Sequence, residues 1–149
     1  MIERLCLHDD VETTTGGIVE YDLNDLHPKI IESSSRLFQD KHYAQAILEA
    51  FKQVNDFVKI KSGVNDRDGA SLMEYVFSPN NPILAFNELV SQSDKDEQLG
   101  FMLLFRGAIM GIRNPKAHAM VVQRDRVKTL EYLAFASLLI RLVDGGRHL

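Results

Sequence analysis

Residues 43–63, YAQAILEAFKQVNDFVKIKSG, decide the fold. Tyr43, Ile47, Ala50, Phe51, Val54, Phe57 and Val58 recur at steps of three and four, and Glu49, Lys52, Asp56 and Lys59 fall elsewhere. That period is the apolar face of an α-helix; a half-buried strand would alternate at every second residue. Gly63 stands where the pattern stops, and glycine can end a helix in left-handed backbone there.

The helical period continues on both sides. Upstream, Pro28 suits a first helical position after Asp25 or Leu26, and Ile30, Ile31, Leu37 and Phe38 mark a short helix. Downstream, Leu72, Met73, Val76 and Phe77 mark another, stopped by the rigid turn Ser78-Pro79-Asn80-Asn81-Pro82. A short piece from Ile83 to Val90 leads to the polar run Ser91-Gln92-Ser93-Asp94-Lys95-Asp96, which offers several helix N-caps. From about Glu97 to Ile112 the chain is apolar nearly all round, as expected of the central element of a bundle. Pro115 disfavours helical backbone at Asn114, so this helix is expected to break near Arg113. A last helix is predicted from roughly Asp125 to Val143, with Leu130, Leu133, Ala134, Ser137, Leu138 and Leu142 buried and Gly145-Gly146 closing it.

There is no internal repeat and no linker long enough to divide this body. The expectation is an all-α bundle of four main helices with short extra helices over residues 25–149. Residues 1–24 differ. Thr13-Thr14-Thr15-Gly16-Gly17 lies between Ile2-Leu5-Leu7 and the alternating Ile18-Val19-Glu20-Tyr21, which fits an irregular or hairpin-like arm.

Composition narrows the function classes. The 149 residues, 45% hydrophobic and 26% charged, suit one globular domain with a core of its own. The longest apolar run, Phe101 to Ile112, is interrupted by Arg106 and is too short to cross a bilayer. The first residues lack a signal-peptide pattern, and the single cysteine, Cys6, has neither a disulfide partner nor a metal-ligand companion. A cytoplasmic protein with no membrane segment, no metal and no cofactor is expected. The net charge of −4 is unevenly placed, with −6 over residues 1–27 and +2 over the remainder. Arg106, Arg113, Lys116, Arg124, Arg126 and Lys128 against Asp125 make a local excess that could attract phosphates, as local basic clusters govern affinity for nucleic acid. A solvated helix start with ordinary surface charges explains the same residues equally well.

The residues with most chemical potential are Arg113-Asn114-Pro115-Lys116-Ala117-His118. Arginine is permanently charged and grips phosphate with a planar fork, and histidine exchanges protons near neutral pH. Together they suit metal-free cleavage of an RNA phosphodiester: His118 as base or acid, Arg113 stabilising the phosphorane charge, Asn114 orienting one of them. Spacing alone is weak, because Arg36 to His42 and Arg141 to His148 fit the same loose pattern. The other reading is a helix-connecting turn with an exposed histidine. Elsewhere, Gly100, Gly107 and Gly111 lack phosphate-loop spacing and read as small residues for close helix packing. His8-Asp9-Asp10 is a poor metal candidate, His27 and His42 suit helix-end hydrogen bonds, and His148 is expected to be loosely held. One Arg and one His are a meagre set, and a symmetric dimer would double it.

The helix Tyr43-x-x-Ala46-Ile47-x-x-Ala50, the later break and Arg113-Asn114-x-x-x-His118 before a long last helix resemble the HEPN superfamily. The segments Leu26-His27-Pro28, Asp68-Gly69, Phe77-Ser78-Pro79-Asn80-Asn81-Pro82 and Arg113 to His118 are similar, more closely, to Ymh-type hypothetical proteins linked to abortive infection and other antiviral defence; the likeness covers about residues 26–145. The resemblance implies a homodimer in which paired Arg-x4-His motifs line one cleft, a metal-independent RNA endonuclease of toxin type, and an antitoxin partner. It places the motif on Arg113 and His118, with Asn114 as the polar residue after the arginine. Arg106, Lys116, Arg124, Arg126 and Lys128 are the candidate phosphate contacts. Inactive members also exist, so a non-catalytic interaction or nucleotide-binding module is the alternative.

Overall fold

The computed structural model of the protein describes residues 21–115 and 123–149. Helix α1 spans Pro28–Gln39, α2 Tyr43–Ser62, α3 Gly69–Phe77, α4 Gln92–Ala108 and α5 Arg126–Asp144. Four are long, and α3 is a short extra one, so the chain is an all-α bundle as its periodicity requires. Strand β1, Leu84–Ala85, pairs antiparallel with β2, Arg147–His148, in the register Leu84 to His148. His148 is thereby tied down, and its Nε2 also lies 3.2 Å from the Ser62 carbonyl, contrary to the loose end expected. The hairpin-like arm predicted over residues 1–24 lies outside the described residues up to position 20; Leu23–Asp25 forms a single 3-10 turn capped by Asp22.

Local chemistry sets the helix ends. Pro28 takes the first position of α1, with His27 Nδ1 accepting the Lys29 N–H. Gly63 ends α2 at φ +73°, a left-handed turn that costs glycine no steric strain. Helix α4 begins earlier than the apolar run suggests because Ser91 and Asp94 form a reciprocal capping box. Asp125 caps α5 by accepting the Lys128 N–H. Gly145 closes the helix as expected, with right-handed backbone and its N–H on the Arg141 carbonyl.

The central element is α2. Its Ala46, Ile47, Ala50, Phe51, Val54 and Val58 are fully enclosed, and it packs against α1, α3 and α5. Ser34 on α1 donates to the Ala46 carbonyl at 2.8 Å, and Ser137 on α5 accepts the His27 N–H at 2.7 Å, closing α1 against both neighbours. Helix α4, expected at the centre, lies at the surface. It packs mainly on α3, where Phe77, Phe86, Phe101 and Phe105 form an aromatic cluster with centroids 4.6 to 5.0 Å apart between successive rings. Leu99, Leu103, Leu104 and Met110 face outward, between 40% and 50% exposed. On α5 Leu130, Leu133 and Ser137 are buried as expected, but Leu139, Ile140 and Val143 also point in, while Leu138 is 53% exposed. Both helices are too uniformly apolar for period to choose a face.

Candidate functional site

Helix α4 does not break at Arg113. It runs on through a π-turn over Ile109–Arg113, and Asn114 keeps helical backbone at φ −64° and ψ −46° with its N–H bonded to the Ile109 carbonyl. A wide turn ahead of a proline relieves the clash between its ring and the preceding carbonyls, so Pro115 is accommodated by widening rather than by rupture. The widened turn lies against α2 and carries Arg113 toward the start of α3.

Arg113 is 21% exposed there. Its Nη2 lies 3.5 Å from Asp68 Oδ2 and its Nη1 donates to Asn114 Oδ1 at 3.2 Å, while Nε is enclosed with no partner in the described structure. Asp68 Oδ1 accepts from Asn55 Nδ2 at 2.7 Å and lies 3.2 Å from Lys59 Nζ. Asn55, itself buried, uses its Oδ1 to accept the Gly69 N–H at 3.0 Å. Burial pushes the Asp68 carboxyl up, but the hydrogen bonds from Asn55 and Lys59, with the charges of Lys59 and Arg113, outweigh it and hold the group below its usual range. A permanent cation is thus held at a helix end by residues of α2 and the α2–α3 loop, with part of its fork unused.

Among the predicted site residues, the structure brings Arg113 and Asn114 together. His118 and Lys116 lie outside the described residues, as does the His8-Asp9-Asp10 run. Arg106 is taken by an ion pair with Glu74 on α3. The Arg126 guanidinium sits 5.1 Å from the Phe38 ring centroid, a cation–π contact at the far end of α2. Phe38 packs on Tyr43 with the rings tilted by 50°, whereas Asp68 bonds Asn55 and Lys59, a separation of about 20 Å along α2. Arg124 and Lys128 are exposed near the start of α5. Among the described residues, Arg126 therefore does not share a face with Arg113. Sequence reading missed the roles of Asn55, Lys59 and Asp68; the signal available was an Asp-Gly pair at a helix start.

Other features carry less chemistry. A cleft of about 540 Å³ on the outer side of α3 is lined by Arg67, Ser71, Glu74 and Tyr75 among others, with Arg67 stacked on Tyr75. Among the described residues no cluster of three or more His, Cys, Asp or Glu side chains is arranged to hold a metal ion, and no helix is long and apolar enough to cross a membrane.

No curated protein and no solved structure matches the chain at a significant level. The sequence model of Hypoth_Ymh, described as a protein of unknown function, matches residues 24–143, the whole of the bundle from the turn before α1 into the last turn of α5. The chain belongs to the Hypoth_Ymh family.

Proposed function

We propose that this protein is a HEPN-type endoribonuclease of prokaryotic defence, active as a homodimer in the cytoplasm, held in check by an antitoxin, and independent of metal. The observation that carries the reading is Arg113: a cation fixed at the end of a helix, partly exposed, with an Nε that has no partner among the described residues, five residues ahead of His118. Arg113 would stabilise the charge developing on the phosphorane, His118 would move the proton of the 2′-hydroxyl or of the leaving oxygen, and Asn114 would orient the guanidinium it already touches.

The outward face of α4 supports pairing with a second copy. Leu99, Leu103, Leu104 and Met110 are half exposed, and a Cβ built on Gly100, Gly107 or Gly111 would meet nothing within 4 Å, so nothing in the described chain uses the close approach these glycines permit. For two Arg113 side chains to share one cleft, the helices must cross near Met110 and Gly111; a crossing at Leu103 would set them about 30 Å apart.

The experiment is cleavage of single-stranded RNA in EDTA. Products with 2′,3′-cyclic phosphate and 5′-hydroxyl ends, resistance of DNA, and a fall of roughly 10² to 10⁴ in His118→Ala support the reading. Cleavage that survives in His118→Ala, or that EDTA abolishes, refutes it. The exposed α4 face is also what a non-catalytic interaction module would present, and complete absence of cleavage with dimerisation intact would favour that alternative.

A further inference from the structure

An aspartate in the cap position just before a helix normally turns its carboxylate onto the N–H groups of the first turn. Asp68 holds that position before α3 and makes no such bond. Its carboxylate points the other way, to Asn55, Lys59 and Arg113, and the buried start of α3 is served by Asn55, which accepts the Gly69 N–H from across the helix pair. Gly69 makes the geometry possible. It has φ +62°, and a Cβ there would lie 3.6 Å from Ile109 Cγ2 and 3.9 Å from Arg113 Nη1. Two cations on different oxygens of one carboxylate leave the group with net positive charge, beside an arginine Nε that has no partner among the described residues.

We propose that Lys59, Asp68 and Arg113 act as one phosphate-recognition unit, in which Asp68, braced by Asn55, is the positioning residue for Arg113 and Lys59 is a second cation for the RNA backbone. The ligand named rests on the endoribonuclease reading; the geometry does not. Asp68 cannot itself contact a phosphate favourably, because like charges repel, so its part is to fix the guanidinium plane and keep the lysine beside it. Lys59 is 30% exposed, enough for the ammonium to reach a backbone phosphate while its stem stays packed.

The test uses the full chain and a short fluorescein-labelled single-stranded RNA. In the His118→Ala background, where no cleavage confuses binding, Lys59→Met should weaken binding roughly 3- to 10-fold and reduce the slope of log affinity against log salt by about 0.7, one phosphate contact on a single strand. Lys59→Arg should restore the slope. Asp68→Asn, in the otherwise native chain, should bind RNA as tightly as the native protein or more so, since a negative charge is gone, yet cleave on the order of 10- to 100-fold more slowly because Arg113 is no longer aimed. Binding and cleavage falling together with the melting temperature in Asp68→Asn would make the residue merely structural and overturn the proposal. An unchanged salt slope in Lys59→Met, or native cleavage by Asp68→Asn, would overturn it as well. If the native chain cleaves no RNA, the endoribonuclease reading fails by itself, and the Lys59 salt slope still decides the unit.

Discussion

The side chain of Gln98, fully enclosed, accepts the Phe86 N–H on its Oε1 at 3.0 Å. Its Nε2 donates to the carbonyls of Phe77 and Leu84 at 3.1 and 3.0 Å. One amide on α4 thus satisfies three backbone groups, one at the end of α3 and two in the segment that joins α3 to α4, and fixes the strand that β2 pairs with. Gln98→Leu keeps the size and orphans all three, so it should cost about 2 to 4 kcal/mol of stability in urea unfolding, whereas Gln92→Leu on the exposed first turn should cost almost nothing.

Arg124 and Arg126 sit two residues apart and should behave differently. Arg124→Glu alters only an exposed charge, so it should weaken RNA binding in low salt and leave the melting temperature within a degree or two. Arg126→Glu removes the cation over Phe38 and puts a carboxylate against a buried ring, so it should lower the melting temperature by several degrees. Equal melting temperatures for the two would show that the Phe38 contact contributes nothing.

The pH dependence of stability follows from two carboxylates held below their ordinary value of 3.8. For Asp68 the causes are given above; for Asp94 they are the Ser91 and Val90 N–H groups, aided by the Ser91 hydroxyl. A carboxyl whose value is lower folded than unfolded binds fewer protons in the native state, so its contribution is complete above the unfolded value and is lost as pH falls through the folded one. The stability gap between the native chain and Asp68→Asn should therefore be constant from pH 7 to about 5, narrow below about 4 and close in stronger acid. Asp94→Asn should show the same direction. A gap that persists undiminished at the acid end would contradict the ion-pair account.

Where the second copy crosses α4 can be read by cross-linking. In a Cys6→Ser background, Met110→Cys should form an intermolecular disulfide readily, and Leu99→Cys should not, because its mate would lie more than about 30 Å away if the crossing is at Met110. The opposite result would place the Arg113 side chains too far apart for a shared cleft.

What the residues disclosed in advance depended on whether period or partner decided the matter. Helix α2, its Gly63 cap, the Pro28 start and the stop at Ser78 are local or periodic, and they could be read directly. The exposed side of α4 could not, because apolar residues surround that helix and only the placement of α3 and α2 shows which of them are covered. The same ambiguity placed Leu138 on the buried stripe of α5 beside Leu130, Leu133 and Ser137, where Leu139 and Ile140 are enclosed instead. Arg113 and Asn114 stood out by type, but Lys59 and Asp68 are ordinary charged residues in sequence, and their meaning arises only when the α2–α3 loop brings Asp68 to Lys59 on α2 and to Arg113. Gln98 was hidden for the opposite reason: a polar residue at the end of the polar stretch that opens α4 gives no sign that it will be enclosed.

The π-turn at Ile109–Arg113 makes the address of Arg113 a matter of length. A helix that admits one surplus residue can be restored to regular winding by losing one, and every residue beyond that point would then swing by about 100° around the axis. Trimming a single residue from this turn would leave the composition of the site intact and the bundle before it undisturbed, yet the guanidinium would leave Asp68 for a different side of the helix. In this protein a deletion of one residue at the turn is more damaging to the site than many changes of residue type around it.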